Sequence, residues 1–185
     1  MKLPSVIFVI HETIVDLETA LDLHSDPDYV ASYHAIIGRY GDITYLVPPE
    51  HKAFAAAQSS FVNLDTGLVE EVNGSVDDFA YHVSLETPVD GRDGNKERHS
   101  GYTLEQYHSL AWLIRATGIK FSRVTTHGNI QTPTTSEPRC LNLPFVISLI
   151  ETKNNRVSID FGPLLNVETE AELVDEDVLA QRTKI

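Results

Sequence analysis

A single cysteine, Cys140, stands in the 185 residues, so no disulfide can close within the chain and the fold has to rest on a packed core. Basic residues are scarce: 14 Lys and Arg face 27 Asp and Glu, a formal net charge of −13. A phosphate-binding face needs clustered Lys and Arg. No basic stripe runs anywhere in the sequence, which sets nucleic acid aside as a partner and disfavours an anionic membrane surface. Long apolar runs are missing too; none reaches the roughly 18 residues that a membrane-spanning helix requires. The apolar opening from Met1 to Ile10 has one Lys, no small-residue cleavage site, and runs directly into His11 and Glu12. It reads as a strand and not as a secretory signal. Internal repeats and low-complexity segments are absent.

What is present suffices for one core. At 42% hydrophobic and 22% charged residues, the chain matches ordinary soluble globular domains. Val6-Ile7-Phe8-Val9-Ile10 is a continuous β-branched and aromatic run, the pattern of a strand covered on both faces. Thr13 to His24 carries apolar residues at helical spacing until Ser25-Asp26-Pro27-Asp28 stops it. Tyr33–Ile37 and Ile43–Val47 read as strands joined by the turn Gly38-Arg39-Tyr40-Gly41-Asp42. Lys52 to Ser60 is a short helix or a loop, Ala80 to Leu85 a further strand, and Thr87 to Gly101 a long polar loop.

The clearest helix spans Tyr102 to Thr117, where Thr103 and Gln106 are spaced as a capping box and Gly118 follows the last turn. Trp112 on this helix is read as a packing residue. Val124 to Thr126 is a short strand, and Leu143 to Glu151 a closing helix or strand. Strands alternating with helices predict an α/β fold, assigned to residues 1–160. From Val167 the composition turns acidic, with Glu168, Glu170, Glu172, Asp175, Glu176 and Asp177 close together. Residues 161–185 are therefore expected to form a solvated C-terminal extension.

Of eight histidines, two stand where an α/β sheet places its ligands. His11 ends the first strand and His127 ends the short strand before Gly128, each at a carboxyl end. Parallel neighbouring strands would bring both to one rim. The other histidines have no comparable setting, and His34 is read as structural because it points away from Tyr33 across the strand. Glu12 reads as a solvated loop residue.

Several stretches, in order, resemble one family. Val9-Ile10-His11-Glu12-Thr13 is similar to V-I-H-H-T, and Tyr33-His34-Ala35-Ile36-Ile37-Gly38-Arg39-Tyr40-Gly41 with Tyr45-Leu46-Val47-Pro48 resembles Y-H-F-I-I-x-R-D-G followed by Y-x-L-V-P. Asp78 to Glu86 stands where that family has N-x-x-S-I-G-I-E-L, and Tyr102 to Leu110 resembles Y-T-x-A-Q-Y-x-x-L. Thr126-His127-Gly128-Asn129-Ile130, then Ser136-Glu137-Pro138-Arg139, is similar to T-H-x-x-I with S-D-P-R downstream. The family is that of the zinc-dependent N-acetylmuramoyl-L-alanine amidases and peptidoglycan recognition proteins.

The resemblance implies a single mixed β-sheet flanked by helices. It also implies a zinc ion held by two His and a third anionic ligand with one position open, the arrangement of a catalytic zinc. His11 and His127 match the two histidines. Glu137, immediately before Pro138, is the first choice for the third ligand, with Cys140 as the alternative. Members commonly carry a Lys where this chain has Thr135, and several carry a Glu base where it has Ser84. A phage member without that Glu uses the Tyr that matches Tyr33, so Tyr33 is the leading catalytic candidate and Glu86 a second candidate base. Arg139 either supplies the missing positive charge or is a surface residue.

The implied activity is hydrolysis of the amide between muramic acid and the peptidoglycan stem peptide. The rival is a muropeptide-binding module of the same fold without turnover. The implied partner is peptidoglycan or a muropeptide, met in the cytoplasm or at the cell wall by delivery without a cleavable signal peptide.

Overall fold

The computed structural model describes residues 6–63, 65–70, 74–92, 94–130 and 136–152. Strand β1 (Ile7–Glu12) is buried along its whole length, as a continuous apolar run demands when both sheet faces are covered. β2 (Ala35–Ile37) and β3 (Ile43–Tyr45) pair antiparallel across the expected turn. β4 (Phe61–Val62) and β5 (Val69–Glu70) form a separate two-stranded sheet. β6 (Ala80–Leu85) and β7 (Val124–Thr126) complete the main sheet.

That sheet has five strands in the order β3-β2-β6-β1-β7, parallel except for antiparallel β3. It is the mixed sheet the resemblance implies. Helices α1 (Leu17–Ser25), α2 (Leu104–Thr117), α3 (His127–Ile130) and α4 (Leu143–Glu151) follow in chain order.

Alternation along β1 and β6 divides the side chains between two faces. Phe8, Ile10, Tyr81, Val83 and Leu85 pack in one cluster with Leu110, Leu113 and Ile114 of α2 and Val146 of α4. Ile7, Val9 and Ala80 join Phe61, Val76 and Ile130 in a second cluster. Continuing the alternation puts His11, His82 and Ser84 with the second set and Glu12 with the first.

Helix α2 begins as expected: Thr103 and Gln106 form a reciprocal capping box, and Gly118 closes the helix with a left-handed φ of 70°. Gln106 is fully buried. Its Nε2 donates to the carbonyls of Ile37 and Glu86, fastening the helix start to the ends of β2 and β6. Trp112 is half-exposed and not part of the core.

Helix α1 starts four residues later than the apolar spacing suggests. Asp16 caps it by accepting from the Thr19 N–H at 2.8 Å, and Ile14 has a φ of 60°, which no α-helix includes. Lys52 to Ser60 is irregular, and Leu143–Glu151 is a helix capped by Asn142. No helix among the described residues is long and apolar enough to cross a membrane. Thr135, the boundary at residue 160 and the acidic extension 161–185 lie outside the described residues.

Candidate metal centre

β1 and β7 are parallel neighbours with Ile10 opposite Thr126, so the residues that follow, His11 on β1 and His127 at the start of α3, reach the same rim. The His11 ring is buried, and its centroid lies 4.7 Å from that of His127. The segment at 136–140 returns to this rim. The Glu137 carbonyl accepts from the Gly128 N–H, and its Oε1 accepts from the Glu12 N–H at 3.2 Å. Oε2 of Glu137 lies 2.7 Å from Nδ1 of His127.

One ligand atom from each of His11, His127 and Glu137 lies within 4.8 Å of the others. Two imidazoles and a carboxylate make up a donor set of catalytic zinc sites, whose donors stand about 2.0–2.2 Å from the ion. Nε2 of His127 is buried with no hydrogen-bond partner among the described residues. His11 is held well below the ordinary imidazole range, first by burial and then by its neighbours His82 and His127. It is therefore neutral, as a ligating imidazole must be. The residues fit a divalent ion.

Tyr33 lies just before β2, half-buried, with its ring 5.1 Å from that of His11. Its hydroxyl is beside Ser84, and burial, reinforced by the charge of Glu137, pushes its pKa up. His24 of α1 packs edge-on against it at 5.1 Å. Beside His127, a groove of about 380 Å³ is walled by Val30, Ala31, Phe54, Ala55 and Ala57.

Glu86 does not join the cluster. Its Oε2 accepts from the Arg39 N–H and its Oε1 from Arg92, each at 2.9 Å, so both oxygens are committed elsewhere. The strand ends at Leu85, and the alternation that aligned Glu86 with Ser84 no longer governs its direction. Cys140 is also apart from the three ligand atoms; its Sγ accepts from the His99 N–H at 3.4 Å.

Glu12 and Arg139 both differ from the sequence expectation. Glu12 is the last residue of β1 and 2% exposed, not a solvated loop residue. Arg139 is 5% exposed and bound to Glu12, not a surface arginine or a free positive charge. The structure adds His82 and Asp77, which sequence reasoning passed over. His82 Nδ1 lies 2.9 Å from His11 Nε2, and its Nε2 lies 3.1 Å from Asp77 Oδ1. The only available signal was period-2 alternation along β6, which cannot say which face of the strand meets His11.

Solved structures share this fold. AmpDH3 from Pseudomonas aeruginosa, in complex with anhydromuramic pentapeptide, superposes with a TM-score of 0.64 at 17% identity, over 80% of this chain and 61% of that one. The N-acetylmuramyl-L-alanine amidase AmiD from E. coli, in complex with the substrate anhydro-N-acetylmuramic acid-L-Ala-D-gamma-Glu-L-Lys, gives 0.57 at 22% identity, over 73% and 52%. The N-acetylmuramoyl-L-alanine amidase LysC from Clostridium intestinale gives 0.53 at 15% identity, over 80% and 85%. The chain thus spans about three fifths of the Pseudomonas structure and half of the E. coli one. No curated protein sequence matches it significantly. Residues 2–140, three quarters of its length, match the family described as N-acetylmuramoyl-L-alanine amidase. On that match, and with this sheet and this rim, the chain belongs to the N-acetylmuramoyl-L-alanine amidase family.

Proposed function

We propose that the chain is a zinc-dependent amidase that hydrolyses the bond between the lactyl group of muramic acid and the L-Ala of the stem peptide. The observation that carries this reading is the convergence of His11, His127 and Glu137 from three separate segments to within 4.8 Å. When bound, a zinc ion supplies Lewis-acid chemistry, polarising the amide carbonyl and activating water near neutral pH.

The chain's own residues do the rest. His11 and His127 offer neutral imidazoles and Glu137 a carboxylate to hold the ion. Tyr33, packed on His11, offers its hydroxyl to orient the scissile amide or take part in proton transfer. The apolar groove beside His127 suits the methyl groups of the lactyl and alanyl units. Hydrolysis leaves a muramic-acid carboxylate and a free peptide amine.

The binding-module reading is favoured by one observation: Ser84 occupies the usual base position, and Glu86 is engaged by Arg39 and Arg92. Metal content separates a built site from an accidental cluster. Purified protein should hold one zinc per chain, and His11→Ala or His127→Ala should hold none. Full occupancy in either variant would overturn the site.

A further inference from the structure

We infer that His82, backed by Asp77, is a positioning residue that holds His11 in the tautomer protonated on Nε2, leaving Nδ1 as its ligating nitrogen. The inference deepens the metal-site reading above and rests on it for the ligating role; the tautomer itself does not depend on a metal.

His82 is fully buried on β6, on the sheet face that carries His11. Its Nδ1 and the Nε2 of His11 are 2.9 Å apart. Two ring nitrogens at that distance share a single proton, so one donates and the other accepts. The direction is set from behind. Nε2 of His82 has Asp77 Oδ1 at 3.1 Å, without hydrogen-bond alignment, and no hydrogen-bond partner among the described residues. That carboxylate oxygen is fixed in place because it accepts from the N–H groups of Ala55 and Ala56 at 3.3 and 2.9 Å.

A buried carboxylate beside Nε2 keeps the proton on Nε2. Neutral His82 then has a bare Nδ1, which can only accept. His11 must therefore donate through Nε2, and its remaining lone pair lies on Nδ1. The backbone beneath is equally fixed: the His82 N–H donates to His34 Nδ1, and His34 Nε2 donates to the His51 carbonyl. The charge on Asp77 is thus relayed through His82 to His11 and raises the basicity of the ligating nitrogen. Outer partners of this kind are worth about 10–100-fold in metal affinity.

The test has two arms. Long-range proton–nitrogen correlation spectra of metal-free, 15N-histidine-labelled protein read the tautomers directly. His11 and His82 should both appear protonated on Nε2. Zinc dissociation constants, measured by competition with a chromophoric chelator, should rise about 10–100-fold in Asp77→Asn and in His82→Asn. Should Asp77→Asn fail to fold, His82→Asn, which keeps an acceptor near His11 and loses the link to Asp77, decides. His11 protonated on Nδ1 in metal-free wild type, or affinity within about twofold of wild type in the folded variants, would overturn the inference. A wild type that binds no zinc yet shows the expected tautomer pair would overturn the metal reading and uphold the relay.

Discussion

Arg139 and Glu12 form a buried ion pair beside the candidate metal centre. Nε and one terminal nitrogen of Arg139 donate to Oε1 and Oε2 of Glu12 at 2.7 and 3.1 Å, and the Arg139 N–H adds a third bond to Oε1 at 3.1 Å. The guanidinium also donates to the carbonyls of Lys96 and Gly91. Glu12 follows His11 directly, and Arg139 stands two residues beyond Glu137. The pair therefore ties the segments that carry His11 and Glu137 to each other and to the polar loop that precedes α2.

Removing one member of such a pair strands the other charge out of water, at about 3–5 kcal/mol. Arg139→Ala should lower unfolding stability by that amount in urea titration, with an unchanged m-value. A loss below about 1 kcal/mol, the range of exposed pairs, would show that the pair does not fasten the rim.

The third ligand is decided by comparing Glu137→Ala with Cys140→Ser. Losing one of three protein ligands should weaken zinc binding by orders of magnitude, whereas the thiol that faces the His99 N–H should be dispensable. Retained zinc in Glu137→Ala together with lost zinc in Cys140→Ser would reverse the assignment.

Acid sensitivity should trace in part to His34. Burial lowers its pKa to about 4 in the folded chain, against about 6.5 when unfolded. Between those values the unfolded chain binds the extra proton, so stability falls as pH drops from about 6.5 to 4 and this contribution levels off below. His34→Gln should flatten the stability slope in that window by up to about 1.4 kcal/mol per pH unit. An unchanged slope would assign the acid sensitivity to other groups, such as His24, also lowered by burial.

Tyr33→Phe keeps the ring against His11 and removes only the hydroxyl. Zinc content should be unchanged while turnover falls about 10²–10⁴-fold. Equal rates would remove Tyr33 from the chemistry.

What could be read from the sequence was local or periodic. The capping box of α2, the apolar runs of β1 and β6, and the placement of His11 and His127 near the carboxyl ends of β1 and β7 all follow from residues near one another in the chain. Their meeting needed only that β1 and β7 be parallel neighbours. The pairing of Glu12 with Arg139, 127 positions apart, is not legible locally, because β1 continues one residue past His11 and turns Glu12 into the core. The start of α1 was misplaced because the Asp16 side chain captures the Thr19 N–H, a competition that apolar spacing does not register. Glu86 was misplaced because alternation was carried past the end of its strand. His82 stayed unseen because period 2 sorts a strand into two faces without saying which one meets the site.

Release of free stem peptide from N-acetylmuramoyl-L-Ala-D-isoGln tests the zinc-dependent amidase most directly. Zinc-loaded wild type should cleave it, chelator-treated protein should not, and re-added zinc should restore the rate, with no restoration in His127→Ala. Full activity in His127→Ala would contradict the metal centre. Muropeptide binding without any turnover by zinc-loaded wild type would contradict the amidase and leave a binding module in its place.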